Sequence, residues 1–134
     1  MVKKYKGSIL VVDDDEDVRR LLLRYLEELG YVVASAASGA EAIVKIREHA
    51  YDLVFIDHSM PVMTGPEALR QLRMEGLQSK VIVITGSTEE EVFEEFMTPE
   101  LNVDGFVNKP LEPAQIEKCI EQVLVRNRKL FSPL

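Results

Sequence analysis

Only one cysteine, Cys119, occurs in the 134 residues, so no disulfide can close within the chain. None is needed, because a chain of this length buries roughly two thirds of its unfolded surface. Cys119 reads as a small buried apolar residue on the last helix rather than as a redox centre. Positive charge is in the minority: 16 Lys and Arg against 23 Asp and Glu leave a formal net charge of -7. That balance disfavours a direct grip on nucleic acid or on an anionic membrane. No apolar stretch approaches the roughly 18 residues of a membrane-spanning helix. Met1 to Ser8 is short and basic but leads straight into an apolar run, so it does not read as a signal peptide. The expected compartment is the cytoplasm. Internal repeats, low-complexity tracts and linkers are missing too. The length then predicts a single domain over 1–134 with a core of about 8–127.

What is present is a set of short apolar runs, each ending in a reactive side chain. Ile9-Leu10-Val11-Val12 runs into Asp13-Asp14-Asp15, and Leu53-Val54-Phe55-Ile56 into Asp57. Val81-Ile82-Val83-Ile84 runs into Thr85-Gly86, and Gly105-Phe106-Val107-Asn108 into Lys109-Pro110. Runs of this length, rich in Val and Ile, are typical of strands buried on both faces of a parallel sheet. Val32 to Ala36 reads as a further strand, less hydrophobic and nearer an edge. Helix-period segments alternate with the runs. Val18, Leu21, Leu22, Tyr25, Leu26 and Leu29 form the first, and Gly30 stops it. Ser38 caps a helix to about His49, with Ala42, Ile43 and Ile46 facing inward. A loop from Ser59 to Thr64 precedes a helix from about Gly65 to Glu75. Ser87 or Thr88 caps an acidic helix to about Met97, which Pro99 ends. Asn102 suits a left-handed turn, and Pro113 opens a final helix to about Arg126. Strict alternation, short connections and right-handed crossovers predict an α/β, flavodoxin-like doubly wound (βα)5 three-layer sandwich. Its parallel five-stranded sheet has the expected order 2-1-3-4-5.

In such a sheet, ligands bind beyond the carboxyl ends of the strands. The tips carrying Asp13, Asp57 and Thr85 then adjoin, with Lys109 one strand further. Carboxylates held this close either take up protons or share a cation. Mg²⁺ suits them, since it takes oxygen ligands and is commonly held by one or two carboxylates with phosphate oxygens. A hydroxyl and an ammonium alongside are wrong for a closed metal cage and right for an incoming phosphoryl group. Asp57 is the candidate nucleophile, because it stands alone at its tip while Asp13 and Asp14 are paired. The expectation is an acceptor near the acidic doublet and open to solvent. Asp15 and Glu16 read as acids complementing the start of the first helix.

Taken together, these four motifs, with Met60-Pro61 and Gly65 following Asp57, resemble the receiver domain of two-component response regulators. The resemblance covers almost the whole chain. It implies that Asp57 accepts a phosphoryl group from a phosphohistidine of a sensor histidine kinase or phosphotransfer protein. It implies Mg²⁺ held by Asp13, Asp14, Asp57 and the backbone carbonyl of Ser59. It places Thr85 and Lys109 against the phosphoryl oxygens and Phe106 at the position of an aromatic switch, although Phe106 also reads as an ordinary core residue. His58, Ser59 and Ser87 occupy positions that tune access to the group or its lifetime. The implied protein is not an enzyme beyond self-catalysed phosphoryl transfer and autodephosphorylation. It signals to a downstream output domain or protein, as a monomer or as a phosphorylation-dependent dimer. Three departures stand out: His58 and Ser59 where apolar residues are frequent, Gly86 where alanine is common, and about two extra residues between Thr85 and Lys109.

Two rival readings share parts of this chemistry. A phosphatase of the haloacid dehalogenase type also uses an aspartate nucleophile, a hydroxyl, a lysine and Mg²⁺. It places a second acid two residues after the nucleophile, where this chain has Ser59. A flavodoxin-like mononucleotide binder is suggested faintly by Thr85-Gly86-Ser87-Thr88, but acids at three strand tips oppose an anionic cofactor.

Overall fold

A computed structural model describes residues 6–86 and 90–126. Five strands alternate with five helices. They run β1 (Ser8–Val12), α1 (Glu16–Glu28), β2 (Val32–Ala36), α2 (Gly39–Glu48), β3 (Leu53–Asp57), α3 (Gly65–Met74), β4 (Lys80–Thr85), α4 (Glu90–Phe96), β5 (Gly105–Asn108) and α5 (Pro113–Ile120). A π-helical turn, Glu121–Arg126, extends α5. The strands form one parallel sheet in the order β2-β1-β3-β4-β5. The doubly wound sandwich expected from the alternation is therefore the fold.

Side chains alternate across each strand, so the two faces of the sheet feed two cores. Ile9, Val11, Leu53, Phe55, Ile82 and Ile84 pack under α1 and α5, with Leu22, Leu26, Ile116 and Ile120. Leu10, Val12, Val54, Ile56, Val81 and Val83 pack under the other three helices, with Ala68, Leu69, Leu72 and Phe96. The central strands are fully buried from both sides, which explains their unbroken apolar runs. β2 lies at an edge and is the more exposed strand expected. Cys119 is buried in the first core.

Ser38 is the cap expected for α2, while Asp15, read only as an acid at the start of the first helix, proves to be the cap of α1. Ser38 accepts from Glu41 N at 3.1 Å, and Asp15 caps α1 by accepting from Asp17 N at 2.9 Å. Gly30 and Asn102 take positive φ, 103° and 50°. Three expectations need correction or fall outside the structure. Leu21 does not join the buried stripe of α1; it is half exposed, because Leu22 and Leu26 alone point straight at the sheet. The last helix leaves α geometry at Ile120 and finishes in the π turn. The proposed caps Ser87 and Thr88 lie outside the described residues.

The stretch after α4 has its own support. A turn from Thr98 to Leu101 follows the helix. Arg73 of α3 reaches across to it and donates to the carbonyls of Leu101 and Asn102 at 2.9 and 3.0 Å. The same guanidinium donates to the carbonyls of Leu77 and Ser79, both at 3.0 Å.

Candidate functional site

The site stands at the carboxyl edge of β1, β3, β4 and β5. Register fixes it: Val12 pairs with Ile56, Asp57 with Ile84, and Thr85 with Asn108. The strand tips therefore lie side by side. Asp13 follows β1, Asp57 ends β3, Thr85 ends β4, and Lys109 follows β5. The main chain knits these tips together. His58 N donates to Ile84 O at 2.9 Å, Lys109 N to Thr85 O at 2.8 Å, and Asp13 N to Ala36 O at 3.1 Å.

Asp13, Asp14 and Asp57 each offer a carboxylate oxygen, all within 4.8 Å of one another. Lys109 Nζ stands 3.2 Å from Asp57 Oδ1 and 3.6 Å from Asp13 Oδ2. Asp13 Oδ1 accepts from Asp15 N at 2.9 Å, whereas Asp13 Oδ2 is buried with no hydrogen-bond partner. A buried carboxylate oxygen without a hydrogen bond, met only by Lys109 at 3.6 Å and set beside two more acids, is an incomplete arrangement. A divalent cation with a taste for hard oxygen ligands would complete it. The donor set therefore fits a metal ion.

Electrostatics point the same way. Burial and then the charge of Asp13 push the Asp57 carboxyl from 3.8 up to about 6, with Lys109 pulling against them. Burial also raises Asp13, opposed by the Asp15 amide and by Lys109. Burial lowers Lys109, but the carboxylates of Asp13 and Asp57 outweigh it and hold the ammonium above its ordinary value. One cation thus offsets three acids incompletely.

Exposure differs from the expectation. Only 4% of the Asp57 side chain reaches solvent, because β3 is central and the following loop folds over it. Gly65 makes that loop possible. Its N donates to His58 O at 2.8 Å, and a Cβ there would collide with the Asp57 carbonyl oxygen and stand 2.9 Å from His58 Cα. Of its neighbours, Asp14 is exposed and Lys109 partly exposed.

The remaining predicted residues are arranged around this centre. Thr85 is fully buried at its tip, and Ser59 is exposed in the loop after β3. Phe106 is partly buried against Phe93 and Phe96, with ring centroids 4.8 and 6.1 Å apart. His58 turns to α4, where Nε2 donates to Glu95 Oε2 at 3.3 Å. Ser87 lies outside the described residues. Two contributors were not read from the sequence. Arg19 of α1 reaches back and donates through Nη1 to Asp13 O at 2.8 Å, which fixes the acidic turn. Glu95 of α4, the partner of His58, is the second. An arginine one turn and a half beyond the acidic doublet was the available signal for the first; nothing local marked the second.

The model of the response regulator receiver domain family matches residues 9–121. The chain belongs to that family. A transcriptional regulatory protein, PhoP, that governs alkaline phosphatase synthesis in Bacillus subtilis is 34% identical over 120 residues, 90% of this chain and 49% of that protein. ResD, another transcriptional regulatory protein of Bacillus subtilis, is 37% identical over 119 residues, 89% of this chain and 48% of its own. The receiver domain thus spans about half the length of the curated relatives it matches. Among solved structures, the chemotaxis protein CheY4 of Vibrio cholerae superposes with a TM-score of 0.82 at 31% identity, covering 88% of this chain and 98% of that one. The phosphatase alternative gains no support from these matches, and Ser59 carries no acid. No helix among the described residues is long and apolar enough to cross a membrane.

Proposed function

We propose that this receiver domain accepts a phosphoryl group on Asp57, from a phosphohistidine of a sensor histidine kinase or phosphotransfer protein. The observation that carries this reading is the meeting of Asp57 with Asp13, Asp14 and Lys109 at one sheet edge. In the transfer, an Asp57 oxygen attacks phosphorus, a P–O bond forms, and the P–N bond to the donor imidazole breaks. Lys109 leaves its place against Asp57 Oδ1 to pair with a phosphoryl oxygen, and the Thr85 hydroxyl donates to another. Mg²⁺, bound by Asp13, Asp14, Asp57 and the Ser59 carbonyl, would screen charge between the acceptor and the incoming group. Asp13 is held for that task by the Asp15 amide and, through its carbonyl, by Arg19.

The product adds about -1.5 to -2 charge units where a lysine and a hydroxyl stand ready. Drawing Thr85 toward that charge frees space beside β5 for Phe106, which is the switch in this reading. Driving a two-state equilibrium from 1:99 to 99:1 takes about 5.5 kcal/mol of differential stabilisation. Ser59 and Ser87, two positions past Asp57 and Thr85 in the sequence, are small and polar rather than water-excluding, so the lifetime of the aspartyl phosphate is modest in this reading. The domain turns over no phosphoester and acts in the cytoplasm. It passes its state to an output domain or partner protein as a monomer or a phosphorylation-dependent dimer, without itself contacting nucleic acid or membrane.

Acetyl phosphate with Mg²⁺ tests the assignment by intact mass. The parent gains one phosphoryl group and Asp57→Ala gains none. Equal labelling of both overturns the reading.

A further inference from the structure

We propose that Arg19 makes the acidic trio selective for Mg²⁺ over Ca²⁺ by pinning the turn that carries Asp13 and Asp14. This selectivity rests on the ion site proposed above. Arg19 belongs to α1, yet its side chain runs back past the start of that helix, where Nη1 donates to Asp13 O at 2.8 Å. That carbonyl is part of the peptide joining the two acids. A peptide is planar, so a donor fixed on its oxygen also fixes the plane from which Asp14 departs. Asp14 itself is exposed, and packing does not hold it. The rest of the turn is tied on either side. Asp13 N donates to Ala36 O at 3.1 Å, and Asp13 Oδ1 accepts from Asp15 N at 2.9 Å. Asp15 is bound in turn to α1, accepting from Asp17 N at 2.9 Å and, through its carbonyl, from Arg19 N at 3.1 Å. Two residues that each offer the ion an oxygen are thus clamped between β2 and α1.

Charge does not account for this placement. α1 begins with Glu16 and Asp17, acids that suit a helix N-terminus, whereas a cation there opposes the helix dipole. A guanidinium beside the trio also repels a dication. Its neighbour Arg20 shows the ordinary alternative, an exposed pair with Glu16 at 2.7 Å. Arg19 instead restrains the main chain of the acidic turn, and restraint matters differently to the two cations. Mg²⁺ demands near-ideal octahedral geometry at roughly 2.0–2.1 Å, while Ca²⁺ accepts roughly six to eight oxygens at roughly 2.3–2.6 Å in flexible arrangements. A loosened turn therefore weakens the hold on Mg²⁺ more than on Ca²⁺. Arg19 is a positioning residue in this role, acting on the ion through Asp13 and Asp14.

Calorimetric titration of the whole chain with Mg²⁺ alone and with Ca²⁺ alone, at fixed ionic strength, tests the assignment. Arg19→Met keeps the apolar stem and removes the donor. Its Mg²⁺ affinity should fall about tenfold while its Ca²⁺ affinity changes by less than about twofold, so the preference for Mg²⁺ drops at least about fivefold. Arg20→Met removes the same charge one residue on and should keep the parent's preference. Relief of repulsion alone would tighten both ions together. Tighter Mg²⁺ binding or an unchanged preference in Arg19→Met therefore overturns the role of Arg19, and so does an equal drop in Arg20→Met. If circular dichroism shows that Arg19→Met does not fold, Arg19→Lys decides. It keeps the charge but not the planar fork, and an unchanged preference there overturns the role. A parent that binds neither ion overturns the ion site itself, and the selectivity with it. A parent that binds Mg²⁺ alongside Arg19 variants that match it overturns the role of Arg19 alone.

Discussion

Asp57 carries its charge against its surroundings, and that has a measurable cost. Its folded value near 6 exceeds the ordinary 3.8. Between those pH values the folded chain binds more proton than the unfolded one. Stability from this group is complete below about pH 4 and is lost as pH rises through 6. A shift of this size corresponds to about 3 kcal/mol at most. Asp57→Asn, which mimics the protonated form, should therefore match the parent near pH 4. At pH 8 it should exceed the parent by about 2 kcal/mol in urea unfolding. A parent that gains stability between pH 4 and 8 relative to the variant would contradict the sign. Val62 offers a second test at this scale. It sits in the loop after β3 with φ 71° and is fully exposed. A β-branched residue is strained there, and no buried contact compensates. Val62→Asn tolerates the left-handed region and should raise stability by about 1 kcal/mol, or about 3 °C in thermal unfolding followed by circular dichroism.

Elements differ in how openly the chain announces them. β2 is read at its observed bounds from Val32 to Ala36, because strands at this pitch and two flanking turns leave little freedom. α2 and α3 start where their caps, Ser38 and Thr64, are written. Leu21 misleads because helical spacing marks a stripe without saying how wide a strip the sheet can cover. The connection from α4 to β5 was the least legible stretch, and Arg73 explains why. Its four carbonyl contacts lie up to 29 residues away in sequence. No local pattern encodes a donor on one helix serving both the turn that follows it and one 28 to 29 residues away. Burial lowers the pKa of its guanidinium, yet it remains charged, and bonds to a charged donor are individually strong. Arg73→Met should cost about 2–4 kcal/mol in urea unfolding, since it leaves partly buried carbonyls unpaired. Arg73→Lys should recover only part of that, because an ammonium cannot span the same fork. A neutral Arg73→Met would mean that water serves those carbonyls equally well.

At the scale of the whole molecule, the four reactive tips were legible because each ends an apolar run and the strand order brings the ends together. Arg19 and Glu95 were not, because their roles depend on which way α1 and α4 face once packed. An ion held by the acidic trio, as proposed, would tie its binding to global stability. Mg²⁺ at about 100 times its Kd should stabilise the parent by about 2.7 kcal/mol. Asp13→Asn should abolish most of that gain in thermal unfolding, and an undiminished gain would remove Asp13 from the ion's ligands. Lys109 brings a further consequence through its address just after the fifth strand, at one edge of the sheet. A polypeptide emerging from a ribosome exposes residues 13, 14 and 57 long before residue 109. Until β5 docks, mutual repulsion at that rim has no counterweight, so an interrupted translation product carries the acids without the cation. Arrival of the closing segment then both completes the sheet and quiets the rim, which makes chemical competence a late event in the birth of this protein.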